Sequence, residues 1–98
     1  MAFEIVWSKN ASEDLEEIIS FLKEKWSLKI AEDFIIELYC KIEIISNFPF
    51  AGIASEKEVN VRRIIITEHN SLYYKVEDNV IELLDFFDNR QHPDKNKF

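Results

Sequence analysis

The sequence predicts an α+β fold in the order β-α-α-β-β-β, a two-helix hairpin lying on one face of a mostly antiparallel sheet. Two observations predict it. Between residues 12 and 46, apolar residues recur at three- and four-residue spacing, the period of a helix. From about Val59 to Phe87, three short runs read as strands of period two, parted by turn residues. At 98 residues the whole chain, 1–98, is expected to be one domain with a single modest core.

Each element has its own signal. Phe3, Ile5 and Trp7 alternate with Glu4 and Val6, a short first strand. Ser8 or Ser12 then caps a helix that runs to about Lys25, with Leu15, Ile18, Ile19, Leu22 and Trp26 at helical spacing. Glu13, Asp14, Glu16 and Glu17 read as acid in its first turn, where the helix dipole favours negative charge. Ser27 caps a second helix whose stripe is Ala31, Phe34, Ile35, Leu38, Ile42 and Ile45. Ile36, Tyr39, Cys40 and Ile44 widen that stripe. Packing against both the first helix and the sheet is the expected reason, and an exposed remainder would mark a partner or self-association face.

The segment Asn47–Gly52 breaks the helix, and Phe48 and Phe50 are expected to anchor it to the core. Val59–Ile66 is the next strand. Period two puts Arg62 with Ile64 and Ile66, and Arg63 on the opposite face with Val61 and Ile65. His69-Asn70 is read as a turn, Leu72–Glu77 as a strand and Asp78-Asn79 as a two-residue hairpin turn. Val80–Phe87 is apolar on both faces apart from Glu82 and Asp85, so it is expected in the sheet interior.

Composition excludes several classes. With 47% hydrophobic and 13% aromatic residues, the chain has enough apolar surface to fold. No apolar run is long enough to cross a bilayer, and the N-terminus lacks the pattern of a signal peptide, so a cytoplasmic protein without a membrane partner is expected. Cys40 is the single cysteine and reads as a core residue; no metal or other cofactor is expected. The formal net charge is −7, whereas nucleic-acid binders usually carry a basic face. Residues 1–49 hold ten acidic and five basic side chains, residues 50–98 nine and seven, so any phosphate contact belongs to the C-terminal half.

Several motifs stand in a familiar order: an acidic first helix, a long apolar second helix and a loop containing Phe48-Pro49. A strand opening Arg62-Arg63, a strand Leu72-Tyr73-Tyr74-Lys75-Val76 and a last run from Ile81 to Pro93 (IELLDFFDNRQHP) follow. In this the chain resembles the RelE/ParE superfamily of bacterial type II toxins over nearly its whole length. The resemblance implies a small cytoplasmic toxin of a toxin-antitoxin (plasmid stabilization) module that inhibits growth and is silenced by a cognate antitoxin. RelE-type members cleave mRNA on the ribosome, and ParE-type members inhibit DNA gyrase.

Position by position, Arg62 or Arg63 matches the strand arginine, Tyr74 the strand tyrosine and Arg90 the first arginine of the C-terminal motif. Asp88, Asn89 and Gln91 stand where many members carry His, Gly and a second Arg.

Metal-independent RNA cleavage by the 2′-hydroxyl needs a base, a cation for the phosphorane and an acid for the leaving oxygen. Arg62 or Arg63 with Arg90 are the candidate cations, His92 or Tyr74 the acid, and Glu68 or His69 the base. Against this, acid on the approach face opposes docking on a ribosome. The expected function is therefore ParE-like, acting by binding gyrase or another cellular target. A RelE-like mRNA endonuclease, a degenerate non-toxic member and a homodimer are the alternatives kept open.

Overall fold

The computed structural model describes residues 2–90 and 98. The elements are β1 (Glu4–Trp7), α1 (Lys9–Lys25), α2 (Leu28–Asn47), β2 (Ile53–Ala54), β3 (Val61–Ile65), β4 (Asn70–Glu77) and β5 (Val80–Asp88). The strands form one sheet in the order β1-β5-β4-β3-β2. β1 runs parallel to β5, and the other neighbours are antiparallel. The apolar β5 is interior, as its two-faced apolar pattern requires. Asp78 and Asn79 both take positive φ, 50° and 66°, the geometry of a two-residue hairpin turn that Asp and Asn tolerate.

α2 provides the helical side of the core. Phe34, Leu38, Ile42 and Ile45 are buried against Leu72 and Tyr74 of β4 and Ile81 and Leu83 of β5. Ser27 caps α2 by accepting the Ile30 N–H at 3.1 Å. Of the two candidate caps for α1, Ser8 serves: its hydroxyl accepts the Ala11 N–H at 3.0 Å. The helix therefore starts at Lys9, and its first turn holds no acid. Glu13, Asp14, Glu16 and Glu17 lie past the first turn, where the dipole's pull has fallen off, so they are not the first-turn acids expected.

Four further expectations are corrected. Cys40 is exposed, not core: it lies two residues, about 200° of helix rotation, beyond the buried Leu38. Ile36, Tyr39 and Ile44 are likewise exposed, so the sheet and α1 cover only one side of α2. Phe48 and Phe50 do not anchor their loop; they are 69% and 68% exposed, and Pro49 between them is buried. The turn before β4 lies one residue earlier than read, and Asn70 is already paired with Asp88. The two-residue β2 was not foreseen at all, because two residues carry no period.

On the helix-free face, Tyr73 is only 3% exposed. The Phe87 ring covers it edge-on at 6.1 Å and the Phe98 ring at 5.0 Å, while the Ser55 hydroxyl donates to the Phe98 carbonyl.

Candidate functional site

The residues singled out in the sequence fall at three separate places. Cross-strand register puts Arg62 opposite Tyr74 on the helix-covered face and Arg63 opposite Tyr73 on the other. Both members of the first pair are committed to the 48–52 loop. The Tyr74 hydroxyl donates to the Pro49 carbonyl at 2.7 Å and accepts the Gly52 N–H at 2.9 Å. Burial raises this phenol above its ordinary value, against the lowering pull of the Gly52 N–H and the Arg62 charge. Arg62 donates Nη1 to the carbonyls of Gly52 at 2.8 Å and Phe50 at 3.2 Å, and its guanidinium lies 5.0 Å over the Phe50 ring. The partners of Arg62 are thus loop carbonyls.

Gly52 is what lets the loop come so near. A Cβ there would stand 2.6 Å from the Tyr74 hydroxyl oxygen and 2.8 Å from the Arg63 carbonyl oxygen. Among the described residues, the Arg63 guanidinium makes no hydrogen bond or ion pair.

Arg90 lies at the other end of β4. Asn70, paired with Asp88, is four residues from Tyr74, about 13 Å at the rise of a strand. Arg90 closes on Asp88 through two bonds, Nε to Oδ1 at 3.0 Å and Nη2 to Oδ2 at 2.9 Å. Those bonds hold the Asp88 carboxyl below the usual carboxylate range, with partial burial opposing, and raise Arg90 in return. His92, the other candidate at this end, lies outside the described residues.

Asp88, Arg90 and His69 line the mouth of a groove of about 660 Å³ between α1 and the end of the sheet. Its lining is mostly apolar: Ile18, Phe21 and Leu22 of α1, Trp26 and Ile30 at the helix elbow, and Phe86 of β5. Trp26 is 71% exposed and Phe21 51%. Asp14 and Glu17 supply an acidic rim. Asp14 has a second task, accepting the Phe86 N–H at 3.0 Å. The groove therefore combines apolar area, a carboxylate rim and one self-neutralised arginine. That suits an apolar protein segment with a basic flank better than a phosphate chain. Among the described residues no three His, Cys, Asp or Glu side chains are grouped as a metal site.

Sequence reasoning missed the groove and the roles of Asp14 and Gly52. Only the glycine gave a signal, as the one such residue in the chain.

The model of the ParE toxin of the type II toxin-antitoxin system parDE matches residues 5–93. The chain belongs to the ParE toxin family. It carries the α+β architecture expected of that family, and a cognate antitoxin is its partner. A chain of the chromosomal ParDE toxin-antitoxin system of P. aeruginosa superposes with a TM-score of 0.74 at 18% identity, over 89% of this chain and 96% of that one. A hypothetical protein of Helicobacter pylori, solved in solution, matches with a TM-score of 0.58 at 17% identity, over 91% and 97%. At such identities these likenesses speak for the fold. No curated protein sequence matches the chain. No helix among the described residues is long and apolar enough to cross a membrane.

Proposed function

We propose that this ParE-family toxin acts in the cytoplasm by binding a protein, DNA gyrase or another cellular target, and not by cleaving RNA. The observation that carries this reading is the dispersal of the candidate catalytic groups. Arg62 and Tyr74 are tied into the 48–52 loop. Arg63 points to the other face, and Arg90 has its guanidinium on Asp88, whose strand partner Asn70 lies about 13 Å along β4 from Tyr74. Phosphorane stabilisation needs cations and an acid converging within hydrogen-bond reach of one phosphate. What does converge is the groove, with its apolar lining and acidic side chains, and we take it as the face for a protein partner.

Two assays on the purified chain decide the matter. Supercoiling by gyrase should be inhibited at excess toxin, and ribosome-bound mRNA should stay intact. Cleaved mRNA, lost on Arg90→Ala substitution, would establish the nuclease reading instead. Unchanged supercoiling together with intact mRNA would point to a different protein target.

A further inference from the structure

Apart from the tyrosines, Ser71 is the only buried residue with a polar side chain among the described residues, at the groove end of β4. Its hydroxyl donates to Asn89 Oδ1 at 2.6 Å. Asn89 also reaches the turn between β3 and β4. Its Nδ2 donates to the Thr67 carbonyl at 3.4 Å and the Glu68 carbonyl at 3.3 Å, and its backbone N–H to the His69 carbonyl at 2.8 Å. Within itself the turn is held by Thr67 and Asn70, which exchange backbone bonds at 3.2 and 3.3 Å, and by the Thr67 hydroxyl accepting the His69 N–H at 3.2 Å. Asn89 thus bonds three successive carbonyls of the turn while standing between Asp88 and Arg90.

We propose that Asn89 is a positioning residue: it clamps the Thr67–His69 turn to the end of β5 and so fixes His69 and Arg90 relative to each other at the groove mouth. The inference rests on the groove being the partner face. His69 and Arg90 are exposed side chains on a turn and a strand end, and such groups lose freedom when a partner docks. A clamp that orders their backbones beforehand removes part of that loss. Asn fits the task because one amide supplies an acceptor for the buried Ser71 hydroxyl and donors for the turn.

Three variants of the full chain separate positioning from simple stability. Asn89→Ala removes every side-chain bond. Asn89→Asp keeps an acceptor for Ser71 but loses the donors to the turn. Ser71→Ala does the reverse. Amide exchange of residues 66–70 and 89 is followed by NMR, alongside melting temperature and growth arrest on induction in cells.

Asn89→Ala and Asn89→Asp should speed exchange of the Asn89 and Thr67 amides at least tenfold and raise the inducer needed for arrest. Ser71→Ala should keep both near wild type even where its melting temperature is as low as that of Asn89→Asp. Unchanged exchange in Asn89→Ala overturns the clamp. Arrest that follows melting temperature across all three variants reduces Asn89 to a structural residue. If the wild-type chain arrests no growth, the partner-face reading fails, while the exchange data still decide the clamp.

Discussion

Tyr74 is where the residue scale gives the clearest energetics. Its hydroxyl is buried and fully used, as donor to Pro49 and acceptor from Gly52. Tyr74→Phe strands a buried carbonyl and a buried N–H, each costing about 1–3 kcal/mol, and should lower the urea midpoint without unfolding the chain. The pH dependence follows from the raised phenol. A group that holds its proton more tightly when folded stabilises the protein fully below the unfolded value, about 10, and loses that contribution as pH rises through the higher folded value. Tyr74→Phe should therefore show a shallower loss of stability above about pH 10 than wild type, measured by urea unfolding at fixed pH. Arg62 is tied to the same loop, so truncating it would leave the Phe50 and Gly52 carbonyls without their donor.

The helices do more than cover the sheet. β1 pairs with β5 only as far as Leu83, and beyond that the ladder between β4 and β5 skips Leu84 in a bulge. α1 takes over this stretch of edge. The Ser8 hydroxyl donates to the Leu84 carbonyl at 2.8 Å, and the Asp14 carboxylate accepts the Phe86 N–H at 3.0 Å. Ser8 is thus both helix cap and edge partner. Ser8→Ala should cost about 1–2 kcal/mol in thermal or urea unfolding, the upper part of the range for a lost cap, because a second backbone group loses its partner. Asp14→Asn, which keeps an acceptor, should cost less.

At the scale of the whole molecule, the apolar surface left outside the core is uneven. Phe21, Trp26 and Ile30 stay exposed around the groove, and Ile36, Tyr39 and Ile44 along the outer side of α2. Clusters of large exposed apolar residues mark interaction faces. Trp26 is the sharpest probe, since Trp7, the other tryptophan, is half-buried against Phe86. Trp26→Ala should leave stability within about 0.5 kcal/mol, as for an exposed substitution. It should weaken the toxin's complex with its protein partner by more than about 1 kcal/mol, the loss expected of a central aromatic anchor. Calorimetric titration of the partner against both forms checks this. Equal affinities would place the partner elsewhere.

Much of this molecule is legible without coordinates. Helical spacing located both helices, Ser27 marked the cap of the second, and a two-faced apolar run put β5 inside the sheet. Alternation set Arg62 and Arg63 on opposite faces, and the order of motifs indicated the toxin family that the family model matches. These are properties of neighbouring residues, fixed by backbone period and local turn chemistry. The sequence alone left undecided what the polar groups bond to. Tyr74 meets Pro49 across 25 residues, Asp14 meets Phe86 across 72, and the groove joins α1 to the end of β5. Such contacts depend on how elements stack, and no local pattern encodes them. For that reason arginines and a tyrosine that looked catalytic in sequence lie in a structural loop knot and an ion pair, while Asn89, seen in the sequence only as a departure from the family motif, bonds Ser71 and the turn before β4.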